Sequence, residues 1–495
     1  MARRVAADAV ADVDDADKIQ SLSCRNMSFG RGGIRSRTLH ADDLIATVAP
    51  LTLSRQVLTS YKTSQGGAAR TMRPSTAHIS KSSPRATLRD FVSWFAAEVD
   101  LIHANAAKAA VNKSQFLRSF AQPIKRADLP VGVQPTAVFL DLSKLEQGIV
   151  EEDLAVFLKD KRSGATLIQV PDEFALGAIH LFGDPGTVDP HPINATNATV
   201  SFEGVASKLV LHMNKQSYSI SYPDLRNVRI GDRTGKDLRT FTEWVRDPES
   251  EALFVSMNDI RFAFSQGSLV RDEQIRAQAP LLLTCLHPIQ ALSTCASEKG
   301  EAALVPQSTT FSADSVFGTI ENVIAKESIL VCDDLGDEWA DYVGIDEQTK
   351  TITLYHAKHG SPTTSASAFQ VVVGQALKNL GRVGVLRDNL EGKKHGWGET
   401  YRAENITTLI KRIRRGGTVD DVVRAYEQVA ALPARRARVA IVASFLSKTE
   451  IEDSFARIEK NGTMRRQDPQ RVWLISSFVS LCREASAEAI IYCAP

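Results

Sequence analysis

The sequence predicts an α/β protein whose N-terminal part is α+β, and three observations carry that prediction. From Phe311 onward, apolar runs follow one another in the order helix, strand, strand, strand, helix, strand, helix, helix, strand. Between about residues 130 and 275, short apolar or alternating runs are separated by turn residues, the pattern of a β-rich region. The chain has 495 residues, more than one core usually organises, so two or three units are expected.

Residues 1 to 35 show no sustained period and read as a frayed tail. Residues 60 to 86 are rich in Ser, Thr, Gly and Pro, with Lys62, Arg70, Arg73, Lys81 and Arg85 among them; residues 1–87 are therefore expected to be flexible tail and basic linker. At Leu88 the spacing changes: Leu88, Phe91, Val92, Trp94, Phe95, Val99 and Ile102 recur near the helical period. Beyond it, Pro135 to Leu142, Lys208 to Tyr222 and Ala252 to Val270 read as strands, which makes 88–300 a mixed recognition or partner domain. Residues 281 to 295 look like a short buried segment, and 297 to 309 like a polar connector at a domain boundary.

The third unit, 311–495, is the informative one. Val316, Phe317, Ile320, Val323 and Ile324 form a helical stripe bordered by Glu321. SILVCDD, EWADYVGID and TITLYHAKH have strand length, and the polar turn at Glu347 to Lys350 joins the last two as a hairpin. Asp333, Asp334, Asp337 and Glu338, between the first two, fit a polar turn, a reading favoured for Asp337 and evenly balanced against a site role for Glu338. Side chains alternate along a strand, so Ile352, Leu354, His356 and Lys358 share one face, as do Asp341, Val343 and Ile345. Ionisable groups that continue an apolar face need partners or a metal.

Asp341, followed by His356-Ala357-Lys358 on the paired strand, with Glu321 on the preceding helix and Gln375 on the following one, resembles the site of the PD-(D/E)XK, restriction-endonuclease-like nucleases. The resemblance implies a mixed sheet flanked by helices, with a helix from Ser365 to Leu380, a strand from Ala437 to Leu446, helices from Thr449 to Lys460 and Gln470 to Ala485, and a final strand EAIIYC. It implies a metal-dependent endonuclease acting on DNA. In that reading Asp341 is the main ligand of Mg²⁺ or Mn²⁺, Glu321 and His356 are further ligands, and Lys358 is the water-positioning base or an electrostatic stabiliser. Gln375 sits where several branches carry a helical glutamine. The departure is His356, which fills a slot usually held by Glu or Asp; imidazole suits Mn²⁺ better than Mg²⁺. The flavour of CDDLGDEWADYVGID and QALKNLG also resembles nucleases of bacterial anti-phage defence, implying a helicase-type ATPase or other defence subunit as partner and a homo-oligomer as an assembly state. The rival reading is a catalytically inactive nuclease-fold scaffold or DNA-binding subunit.

Net charge is +1, so any nucleic-acid surface has to be local. Between Gly381 and Gly416, Arg382, Arg387, Lys393, Lys394, Arg402, Lys411, Arg412, Arg414 and Arg415 face only Asp388, Glu391, Glu399 and Glu404. Lys393, Lys394, Lys411, Arg412, Arg414 and Arg415 are the expected DNA contacts, with GKKHGWG read as a loop that approaches the backbone. GDRTGKD at Gly231 and GRGGIR at Gly30 fail the phosphate-loop pattern. Six cysteines without a CxxC pair, no apolar run near 18 residues and no signal-like N-terminus lead to a cytoplasmic expectation with no membrane contact.

Overall fold

The computed structural model describes residues 18–30, 33–48, 55–65, 68–74, 78–82, 87–107, 115–159, 167–215, 217–272, 279, 282–361, 366–384, 388–403, 406–461, 465 and 467–495. Helices and sheets mix, and the chain divides into two units: Met1–Ala46 with Leu53–Gln274, and Thr47–Thr52 with Ile275–Pro495. Among the described residues no helix is long and apolar enough to cross a membrane.

The first unit corrects the tail-and-linker expectation. Residues 1–17 lie outside the described residues, but the strands Gly33–His40, Lys18–Gly30, Gln56–Gln65, Ala68–Arg73 and His78–Ser82 form, in that spatial order, a five-stranded antiparallel sheet. Period-2 burial was present there in Leu22 and Cys24 and in Val57, Tyr61 and Thr63, but a register shift between Ile19 and Ser21 and the Ser and Thr residues among them masked it. Buried Arg25 is paired with Asp141. The β-rich expectation for 130–275 agrees with a nine-stranded antiparallel sheet that includes Pro135–Leu140, Leu253–Met257 and Phe262–Ser265. The helix Leu88–Ala107 begins where the spacing changed.

The second unit is built on seven strands: β1 (Leu286–Pro288), β2 (Ile329–Cys332), β3 (Tyr342–Asp346), β4 (Thr351–Lys358), β5 (Ile413–Arg415), β6 (Arg436–Ser447) and β7 (Ala487–Ala494). Their order is β1-β7-β6-β4-β3-β2-β5. The neighbours from β1 to β4 run parallel, and those from β4 to β5 antiparallel. Because β1 pairs with β7, the unit starts near Ile275 and not at Phe311, and the polar connector lies inside it.

Both sheet faces are covered, which is why the strands read as nearly continuous apolar runs. On one face Val343, Ile345, Ile352 and Leu354 pack with α1 (Ala366–Lys378), α3 (Val419–Ala430) and α5 (Asp468–Glu484); α2 (Asp388–Gly398) adds Leu390 and Trp397, and α4 (Lys448–Asn461) adds Ile451 and Phe455. On the other face Tyr342, Tyr355 and Ala357 meet Val316, Phe317, Ile320 and Ile324. That last stripe begins as an α-helical turn, Val316–Thr319, capped by the Ser315 hydroxyl, and runs on as a π-helical turn, Ile320–Ile324. Gly318 is required in it, since a Cβ there would sit 2.1 Å from the Ser312 carbonyl oxygen.

Candidate active site

The β2–β3 loop, residues 333 to 341, carries Asp334, Glu338 and Asp341, and one carboxylate oxygen from each lies within 4.8 Å of the other two. The loop is held from below. Asp333, fully buried, accepts the Trp339 backbone N–H at 2.8 Å and the Trp397 indole N–H at 2.7 Å. Lys393 places its ammonium 3.0 and 3.1 Å from the two Asp333 oxygens and donates to the Asp337 carbonyl at 2.7 Å. Burial pushes the Asp333 carboxyl up, opposed by the Lys393 charge and these donors. Arg412 donates to the Asp334 carbonyl at 2.9 Å.

Asp341 ends the loop where the hairpin begins. Its N–H donates to the Tyr355 carbonyl at 2.9 Å, and its side chain accepts the Ala357 N–H at 2.7 Å, so the carboxylate is tied to β4 next to Lys358. Burial pushes the Asp341 carboxyl up to about 8; the Ala357 N–H and Lys299 oppose this, while Asp334 and Glu298 reinforce it. Glu338 is also raised, by burial first and by Asp334 next. Asp334 is neutralised by Lys299, whose ammonium lies 2.6 Å from its Oδ2, and accepts the Tyr401 hydroxyl at 3.1 Å. Lys358, half-buried, pairs with Glu298 at 3.0 Å.

The structure thus brings Asp341 and the Lys358 end of β4 together, and it sends other expected site residues elsewhere. Glu321 is locked between the Tyr342 hydroxyl at 2.9 Å and Arg414 at 2.5 and 3.0 Å, so it is a structural ion pair and not a neighbour of the acidic trio. His356 lies opposite Asp341 in the hairpin register but is only 2% exposed, and among the described residues its Nε2 has no hydrogen-bond partner. Burial, and after it the Lys378 charge, bring its pKa down to about 3. It is a neutral imidazole that does not belong to the converging ligand group. Gln375 is half-buried on α1.

The expected DNA contacts need the same sorting. GKKHGWG is the body of α2, not a loop, and Lys393 is 1% exposed. Arg412 is 4% exposed and spent on loop carbonyls, and Arg414 is spent on Glu321. Arg415 donates to the Ala325 carbonyl at 2.9 Å, and Lys394 pairs with Glu391 at 2.9 Å. Lys411 is the exposed one of the six, on the ribbon formed by Thr400–Ala403 and Ile406–Lys411.

Sequence reasoning left Glu338 open between a turn and a site role and passed over Asp334, Glu298 and Lys299. The density of acids in CDDLGDEWAD was a usable signal for the first two. Nothing local marks the other pair, because they reach the site only through the fold. No family profile, curated protein or solved structure matches this chain.

Proposed function

We propose that the second unit is a metal-dependent endonuclease that hydrolyses phosphodiester bonds of DNA, in the manner of the PD-(D/E)XK superfamily. The observation that carries the reading is the convergence of Asp334, Glu338 and Asp341 beside the strand that ends in Lys358. The donor set fits a hard divalent cation such as Mg²⁺ or Mn²⁺: all three ligands are oxygens, and Glu338 and Asp341 are half-buried acids whose carboxyls are pushed up by desolvation and by the Asp334 charge. Such an ion, when bound, makes a coordinated water acidic and offsets charge on the phosphate. Asp334, Glu338 and Asp341 would hold it. Lys358 brings a positive charge to the phosphate oxygens, the electrostatic part of the catalysis. His356, neutral and sealed, shapes the apolar side of the site without exchanging a proton at neutral pH.

The wider setting, an anti-phage role beside a helicase-type ATPase or other defence subunit, in a homo-oligomer and in the cytoplasm, rests on the sequence resemblance alone. One observation favours a second reading, a non-catalytic DNA-binding or scaffold subunit: Lys358 is already paired with Glu298. One experiment separates the two. The purified chain is incubated with plasmid and linear DNA in Mg²⁺ and in Mn²⁺, beside Asp341→Ala and Lys358→Ala. Cutting that needs metal and is lost in both variants supports the nuclease; DNA binding without cutting by any form supports the scaffold.

A further inference from the structure

Glu298 lies in a stretch that reads as a connector, yet its side chain ends at the proposed site. Three features pin the stretch. Ser297 bridges to Ser315, the Phe317 N–H donates to the Glu298 carbonyl at 2.9 Å, and the Gly300 N–H donates to the Ser297 hydroxyl at 2.9 Å. Gly300 has φ +78°, and a Cβ on it would lie 2.6 Å from the Ser312 Cβ, so this turn is open to glycine alone. Next in line, Lys299 is fastened to Asp334 at 2.6 Å and lies 5.3 Å from the Phe317 ring centroid.

So anchored, the Glu298 carboxylate meets Lys358 at 3.0 Å and accepts the His359 N–H at 3.2 Å, which fixes it at the C-terminal end of β4. The pair is sheltered, with 18% of the Glu298 side chain and 35% of the Lys358 side chain exposed, so its geometry is better held than that of an open surface pair. Glu298 is not one of the three acids whose oxygens converge. Its carboxylate contacts run to the lysine and to the His359 N–H.

We propose that Glu298 is the positioning residue of Lys358, a carboxylate delivered from upstream in the chain to the lysine whose own strand offers His356 in place of an acid. The inference rests on the nuclease reading of the site. It makes Glu298 important for turnover and of minor weight for metal affinity, because its main effect passes through the Lys358 ammonium and its charge is the weakest of those acting on Asp341.

The test uses the full chain with four variants: Glu298→Gln, Glu298→Asp, Lys358→Ala, and Glu298→Gln combined with Lys358→Ala. Three readouts are taken: DNA-cleavage kcat and KM in Mn²⁺, Mn²⁺ affinity by calorimetric titration, and the melting temperature in EDTA. Glu298→Gln is expected to lower kcat about 10- to 100-fold, the usual cost of a misplaced catalytic group, with KM, Mn²⁺ affinity and melting temperature near wild type. Glu298→Asp recovers part of the rate. In the Lys358→Ala background the Glu298→Gln change adds nothing further, as required of a residue that works through its partner. An unchanged kcat in Glu298→Gln, a loss that multiplies with that of Lys358→Ala, or a drop in Mn²⁺ affinity overturns the proposal. A wild type that cuts while Glu298→Gln cuts equally well removes this inference only; a wild type that neither cuts nor binds Mn²⁺ removes the site reading and this inference together.

Discussion

Acidification should destabilise the second unit through His356, by an amount that its burial sets. The imidazole is 2% exposed, its Nε2 has no partner among the described residues, and burial with the Lys378 charge brings its pKa down to about 3. In the unfolded chain a histidine titrates near ~6.5. The folded value is the lower one, so the unfolded state takes up the proton first. Stability is therefore intact above about pH 6.5 and falls as pH drops toward 3. At pH 5 the unfolded histidine is about 1.5 units below its own pKa while the folded one stays neutral, a loss of about 2 kcal/mol. The assay is urea unfolding of the full chain at pH 7.5 and pH 5, wild type beside His356→Leu, which keeps the apolar face and cannot titrate. Wild type should lose about 2 kcal/mol more than the variant between the two pH values. Equal losses would refute the buried, neutral placement, and with it the reason for removing His356 from the ligand set.

Three other outcomes follow from the same geometry. Lys393→Met leaves the Asp333 carboxylate buried without its counter-charge and should cost about 3–5 kcal/mol in thermal or urea unfolding, most of it restored by combining the change with Asp333→Asn; a loss of DNA affinity at unchanged stability would mean the lysine is a surface contact after all. Asp341→Asn should abolish cutting yet stabilise the protein in EDTA at pH 8 by about 1–2 kcal/mol, because a carboxyl pushed up to about 8 in the fold gives up its proton less readily there than unfolded, so stability declines as pH rises from the unfolded pKa to the folded one. Melting curves of both proteins in EDTA decide it, and a lower melting temperature for the variant contradicts the argument. Glu321→Gln should leave Mn²⁺ affinity and cleavage near wild type while costing about 1–3 kcal/mol of stability through the weakened Arg414 and Tyr342 bonds; a collapse of metal binding would return Glu321 to the site.

Local periodicity was enough to read the central hairpin and its faces. Alternation alone put Val343 and Ile345 with Ile352 and Leu354, and the structure gathers those four in one core cluster. The helices Ala366–Lys378, Lys448–Asn461 and Asp468–Glu484 and the strands Arg436–Ser447 and Ala487–Ala494 fall close to their expected bounds, whereas the helices Asp388–Gly398 and Val419–Ala430 were not expected. Asp341 and Lys358 were legible as site candidates because ionisable residues on an apolar strand face stand out against their neighbours.

What the sequence could not determine is which charges are spent inside the fold. Lys393, Arg412 and Arg414 look like a basic surface when written in a line, but each is consumed by a loop carbonyl or carboxylate that lies far away in sequence. The same holds for Glu298 and Lys299, which join the site because β1 and the Gly300 turn fold the preceding segment onto β4 and the β2–β3 loop. Periodicity reports which way a side chain points from its own backbone. Pairing of charges depends on distances between segments, and only the tertiary structure decides those.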